Sequence, residues 1–294
     1  MKLVTFAAPA GNRVGVLDPD GGTLRDVTEL LPPGAGVLEV VAAWHELGPV
    51  LRERAASSPG VAPDSVRLLA PLPAPRRNIF CVGKNYREHA AEFGRSGYDT
   101  PSRSAAVPDR PIMFTKATTA VTGPYDDIDP HTGVTAELDY EGELAVIIGP
   151  GGRGISRERA YEHVWGYTII NDVTARDLQR DHKQWLLGKS LDTHCPMGPY
   201  AVSADEISDV TALELTTSVN GEGRQHALVK DLIFDIPELI ATLSAGITLL
   251  PGDVIATGTP VGVGIGFDPP RFLHSGDVVE VSITGLGVQR NHVA

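Results

Sequence analysis

The chain has 294 residues, 42% hydrophobic and 21% charged, a composition that allows one large or two ordinary globular domains with a sizeable core. Its formal net charge of -12 at pH 7 argues against nucleic acid or an anionic membrane surface as partner, and leaves room for a small anionic substrate if the site supplies local positive charge. The two cysteines, Cys81 and Cys195, have no C-x-x-C spacing, and there is no long N-terminal apolar segment and no apolar run of membrane-spanning length, so a soluble protein of the reducing cytoplasm is expected.

Residues 2 to 30 predict a small β meander, with strands over Leu3 to Ala7, Arg13 to Leu17 and Thr23 to Val27. Gly11-Asn12 and Asp18-Pro19-Asp20-Gly21-Gly22 supply the turns. Val37, Val40, Val41, Trp44 and Leu47 recur at helical spacing and predict an amphipathic helix, ended or kinked by Gly48-Pro49. Prolines at 59, 63, 71, 73 and 75 make residues 57 to 77 a connector, which separates a small N-terminal α+β domain (1–75) from a main domain (76–294). Asn78 to Gly83 then reads as a strand and Lys84 to Phe93 as a helix ended by Gly94, placing His89 and Glu92 on one face. Residues 94 to 110, polar and broken by glycine and proline, have the composition of a mobile flap, and Pro111 to Lys116 returns to strand.

The stretch Leu138-Asp139-Tyr140-Glu141-Gly142-Glu143-Leu144-Ala145-Val146-Ile147-Ile148 sets two carboxylates at the head of a buried strand, where residues two apart share a face. Two readings stand. Glu141 and Glu143 are half of a metal site, or they are solvated glutamates at an exposed strand end. Further on, a helix is expected from Ser156 to Val164, a strand from Trp165 to Ile170 and a helix from Thr174 to Gln184 that presents Arg176 and Gln179 together. Beyond Val210, strands alternate with turns, and one helix covers Ile236 to Leu243. The fold class expected is α+β, mainly β.

Several common sites are excluded. Gly188-Lys189-Ser190 lacks the earlier glycine of a phosphate loop, Gly262-Val263-Gly264-Ile265-Gly266 lacks the third glycine of the dinucleotide fingerprint, and no G-x-S-x-G elbow occurs. What remains is a carboxylate group, Glu141, Glu143 and Asp172, whose oxygen ligands suit Mg²⁺ or Mn²⁺. Three carboxylates overcompensate a divalent charge and favour a nearby cation, for which Lys189 is the candidate, although a loop lysine is ordinarily solvated. His89 and Glu92 are either a surface pair or an acid/base pair in which the carboxylate fixes the imidazole tautomer.

Five stretches taken together resemble the fumarylacetoacetate hydrolase family: Gly83-Lys84-Asn85-Tyr86-Arg87-Glu88-His89-Ala90-Ala91-Glu92, Leu138 to Glu143, Asn171-Asp172-Val173-Thr174-Ala175-Arg176-Asp177-Leu178-Gln179, Leu187 to Thr193, and Ala256-Thr257-Gly258-Thr259-Pro260. The resemblance runs from about Arg77 to the C-terminus. It implies a mixed β-sandwich roll, usually a homodimer, with Mg²⁺ or Mn²⁺ on Glu141, Glu143 and Asp172. It implies His89 and Glu92 as a water-activating dyad on a lid helix, a catalytic place for Lys189, and substrate contacts at Arg176, Gln179 and Thr259. The kinship implied is with the acylpyruvate hydrolase, oxaloacetate decarboxylase and hydroxydienedioate isomerase branch, hence a small anionic 2-oxo acid substrate. A 2-oxo acid that chelates the cation gains the electron sink that carbon-carbon cleavage, decarboxylation and tautomerisation all need. The reading is a metal-dependent hydrolase of acylpyruvate-like 2,4-dioxo acids, with a decarboxylase, an isomerase or a non-catalytic dicarboxylate-binding protein as alternatives.

Overall fold

The computed structural model describes residues 1–97 and 107–294; residues 98–106, the centre of the expected flap, lie outside the described residues. The meander is present as β1 (Lys2–Ala8), β2 (Gly11–Leu17) and β3 (Leu24–Asp26), paired antiparallel. The amphipathic stretch that follows forms two helices, α1 (Val37–Ala42) and α2 (Trp44–Arg54). The chain turns at Ala43 (φ −108°, ψ 29°), and Pro49, expected to end or kink the helix, lies inside α2 and does not end it. Because the helix restarts at Trp44, Pro49 falls in its second turn, where the missing N–H forfeits one backbone bond. The proline-rich connector folds back along the meander, with β4 (Gly60–Val61) on β3 and β5 (Leu68–Leu69) on β1.

Next come β6 (Ile79–Gly83) and α3 (Arg87–Arg95). Lys84 has a φ of 57° and Tyr86 is extended, so neither joins the helix the pattern suggested. Gly94 does not end it either; Gly97, at φ 81°, takes the left-handed position that suits a glycine just beyond a helix. The chain continues through β7 (Ile112–Lys116), β8 (Val121–Thr122), β9 (Leu138–Asp139), β10 (Gly142–Ile148) and β11 (Val164–Asn171). Between β10 and β11 a 3₁₀ helix at Arg157–His163 replaces the expected α-helix; Ala160 is its one buried residue, so it has no apolar stripe to hold a longer one. Thr174 and Ala175 pair with β9 as β12 (Thr174–Ala175), which shortens the following helix to α4 (Arg176–His182). The expected loop around Lys189 is a helical turn, α5 (Leu186–Lys189). The rest is β13 (Cys195–Pro196), β14 (Ala201–Ser203), β15 (Glu214–Val219), β16 (Glu222–Leu228), α6 (Ile236–Ser244), β17 (Val254–Ala256), β18 (Val278–Ile283) and β19 (Gly287–His292).

Eleven strands form one sheet, in the order β4-β3-β2-β1-β14-β11-β10-β17-β6-β7 with β5 on β1. The meander therefore joins the later strands through the β1–β14 ladder. A four-stranded sheet, β16-β15-β18-β19, packs against the centre. The architecture is α+β, mainly β. All of β10 is buried, and its side chains alternate between two cores. Leu144, Val146 and Ile148 face the cluster that holds Leu215, Leu239, Val281 and Ile283, whereas Ala145 and Ile147 face the one that holds Val40, Val41, Leu51 and Trp165. By the same period, Gly142 turns toward the four-stranded sheet and Glu141 and Glu143 turn away from it. No helix among the described residues is long and apolar enough to cross a membrane.

Candidate metal centre and active site

Glu141 precedes β10, Glu143 is its second residue and Asp172 follows β11. The hairpin register brings them together: Gly142 faces Asn171 in the ladder, the Asp172 N–H donates to the Glu141 carbonyl (2.8 Å), and the Asn171 side-chain oxygen accepts the Glu141 N–H (3.0 Å). All three acids are buried, and one ligand oxygen from each lies within 4.8 Å of the others. The solvated-glutamate reading is excluded, since Glu141 is 5% and Glu143 1% exposed.

Buried carboxylates this close need compensation. Lys189 Nζ donates to Glu141 (2.6 Å) and to Asp172 (2.9 Å), as its candidacy in the sequence required. Lys116, at the end of β7, donates to the other Asp172 oxygen (2.6 Å) and to the Val173 carbonyl (3.0 Å). Arg176, fully buried, pairs with Glu141 (2.6 Å) and Asp139 (2.9 Å) and donates to Gln179 (3.0 Å). Burial alone would raise the Glu141 pKa, but Lys189, Arg176 and His89 overcome it and hold that carboxyl at about 2. Burial would likewise lower Lys189, yet Asp172 and Glu141 raise it, so its ammonium is a fixed charge. Glu143 goes the other way: burial first, then the charges of Asp172 and Glu141, push its carboxyl well above the usual carboxylate range.

The second group is on α3. His89 Nδ1 meets Glu92 Oε2 at 3.0 Å, with both side chains buried. The other Glu92 oxygen accepts the Gly262 N–H (3.0 Å) and lies against Gly266, where a Cβ would overlap it. With Glu92 ionised, Nδ1 carries the proton and Nε2 is left as an acceptor, an assignment made from the bond. His89, Glu141, Glu143, Lys189, Trp185 and Thr259 line one cleft, and Arg176 and Gln179 reach it too. Its cavity volume is about 10 Å³, room for about one water.

Every residue singled out in the sequence is thus at this cleft or within its ion-pair network. Several partners were missed. Lys116 reads as the polar end of a strand, and only the β6–β7 pairing delivers it to Asp172. Asp139 accepts from Arg176 Nε and from the Gly264 (2.6 Å) and Ile265 (3.1 Å) N–H groups, which pins the 262–266 loop. A neighbouring acid that could have drawn attention to it is Glu141 itself, two residues on.

The model of the fumarylacetoacetate (FAA) hydrolase C-terminal domain matches residues 78–294, which hold β6 and everything after it. The chain belongs to the fumarylacetoacetate hydrolase family. Among its relatives in this family, the oxaloacetate tautomerase YisK of Bacillus subtilis is 54% identical over 228 residues, 78% of this chain and 73% of that one. The fumarylacetoacetate hydrolase structure from psychrophilic Exiguobacterium antarcticum superposes with a TM-score of 0.85 at 43% identity, covering 100% of this chain and 99% of that one. The maleylpyruvate hydrolase of Sphingobium sp. SYK-6, solved with a manganese(II) ion and pyruvate, does so with 0.80 at 30%, again over 100% and 99%. The protein is a fumarylacetoacetate hydrolase family enzyme.

The donor set fits a divalent cation. Among the described residues no Lys, Arg or His makes an ion pair with Glu143, whose one donor is the Gly258 N–H at 2.8 Å. A cation held by Glu141, Glu143 and Asp172 would supply the compensation that this carboxyl lacks.

Proposed function

We propose that the protein moves a proton between carbon 3 and the 2-oxo oxygen of an oxaloacetate-type 2-oxo diacid, with Mg²⁺ or Mn²⁺ on Glu141, Glu143 and Asp172. The observation that carries the reading is that His89, bonded to buried Glu92, lines one cleft with Glu141 and Glu143 of the carboxylate triad, in a chain 54% identical to an oxaloacetate tautomerase. A divalent cation held by Glu141, Glu143 and Asp172 would supply positive charge that makes the carbon-3 protons of a 2-oxo acid more acidic. His89 Nε2 takes such a proton, ionised Glu92 stabilises the resulting imidazolium through Nδ1, and the imidazolium gives the proton to the 2-oxo oxygen; an enol is ketonised by the same two transfers in reverse. Lys189, kept protonated by its two acids, adds fixed positive charge where negative charge develops on oxygen, and does not act as the base. The narrow cleft leaves little room for bulk water beside His89.

A second reading is hydrolysis of acylpyruvate-like 2,4-dioxo acids, in which the same imidazole activates water. The likeness to a maleylpyruvate hydrolase favours it. One assay ranks the two: enol oxaloacetate and an acylpyruvate are each supplied with Mg²⁺ or Mn²⁺, and loss of the enol absorbance and release of pyruvate are followed. Chelator-sensitive acceleration of the enol-to-keto change, without pyruvate release, is the expected result. Pyruvate release from the acylpyruvate with no effect on the enol would replace the first reading with the second.

A further inference from the structure

β10 has its two neighbours for only part of its length. β17 accompanies Ala145 to Ile147, then peels away: the Thr257 N–H still reaches the Leu144 carbonyl (2.9 Å), but the Gly258 N–H goes to the Glu143 side chain. Gly142, between the two glutamates, is therefore left without a strand on that side. Its N–H and C=O are served by side chains. The N–H donates to Gln225 Oε1 (3.0 Å), and the C=O accepts from Thr259 Oγ1 (3.1 Å). Gln225 Nε2 in turn donates to Thr259 Oγ1 (2.7 Å) and to the Pro260 carbonyl (2.8 Å), closing a ring around one residue. The amide orientation is fixed, because a backbone N–H needs the oxygen and a carbonyl needs the nitrogen.

Gln225 belongs to β16, in the four-stranded sheet, and is 3% exposed. It stands in the row Gln225, Thr217, Val281, Gln289 that crosses β16, β15, β18 and β19. That row leaves no space over Gly142: a Cβ there would overlap Thr217 Oγ1 and lie 2.9 Å from Val281 Cγ1. Glu141 and Glu143 are thus separated by a residue whose backbone is held from behind.

We infer that Gln225 is the positioning residue of the metal centre: it fixes Gly142, and through Gly142 the relative aim of Glu141 and Glu143, and it locks the Thr259-Pro260 segment to the same point. This rests on the reading of Glu141, Glu143 and Asp172 as the cation's ligands. The Gln225 side chain bonds to Gly142, Thr259 and Pro260 and not to the ligand carboxylates, so its effect appears as weaker metal binding, of the size seen when groups supporting metal ligands are removed, roughly 10- to 100-fold. A merely structural glutamine would lower the melting temperature and leave affinity alone.

The test compares Mn²⁺ and Mg²⁺ titration calorimetry, well below the melting transition, on the wild-type chain, Gln225→Leu, Gln225→Asn and Gln289→Leu. Gln225→Asn keeps both polar groups but is one methylene short of bridging Gly142 and Pro260, and it serves if the leucine variant does not fold. Gln289, fully buried in the same row and with a side-chain amide that has no hydrogen-bond partner among the described residues, controls for damage to the sheet. Affinity falling at least about tenfold in the Gln225 variants, with Gln289→Leu at the wild-type value, is expected. Wild-type affinity in both Gln225 variants, or an equal fall in Gln289→Leu, overturns the inference while leaving the metal site standing. A wild-type chain that binds neither ion overturns the metal reading and this inference with it.

Discussion

The carboxylate triad and the His89–Glu92 pair face one cleft from supports of different kinds. Glu141, Glu143 and Asp172 sit where β10 and β11 begin and end, between the two large cores, with ladder bonds beside them and three buried cations on Glu141 and Asp172. The dyad rides on a nine-residue helix whose underside is a small cluster, Phe93 with Val263 and Ile265, against Trp185 and Phe272. On the proposed function, the charges that hold the cation would stand on sheet, a fixed half, and the base would stand on an element with little apolar area beneath it, the movable half.

Removing a member of the fixed half gives the largest expected effect. Asp172→Ala should abolish Mg²⁺ and Mn²⁺ binding by calorimetry. It should also destabilise the chain by ~3–5 kcal/mol, because Lys116 and Lys189 lose a buried acceptor; thermal melting measures that. Unchanged metal affinity would remove Asp172 from the ligand set. In the movable half, His89→Ala should keep metal affinity while turnover falls ~10²- to 10⁴-fold, the usual worth of a general base, and the melting temperature should fall as well, because buried Glu92 loses its partner. If metal binding fell with it, the two halves would not be separable. Glu92→Gln should do least, roughly a 10- to 100-fold loss in turnover, since an amide can still orient the imidazole but not stabilise its charged form. A loss as large as that of His89→Ala would show that the carboxylate takes part in proton transfer itself.

Local pattern made much of this legible. Alternation and apolar runs located the meander, β6, β10 and β11, and i,i+3 spacing put His89 with Glu92 and Arg176 with Gln179. Pattern failed where a tertiary contact outweighed it. Lys84 to Tyr86 run into the helical pattern without a breaker, yet the Asn85 side chain is spent on the Phe234 and Thr257 carbonyls and the Phe234 N–H, which holds the segment out of the helix before α3. Lys189 has the composition of a loop lysine and is buried because two acids far away in sequence need it. Lys116 and Gln225 could not be found this way, since neither lies in a motif and each reaches the site across a strand pairing or a packed sheet.

Trp185 covers Gly83, where a Cβ would overlap its ring, and touches Phe93 of α3 (ring centres 6.0 Å apart) and Phe114 of β7 (5.1 Å). The other two tryptophans of the chain, Trp44 and Trp165, meet edge to face at 5.2 Å beside the other core. The chain therefore carries two separate optical compartments. With Trp44 and Trp165 replaced by phenylalanine, the emission left would come from the single indole wedged under the histidine-bearing helix, and its wavelength would read the seating of that helix without any attached dye.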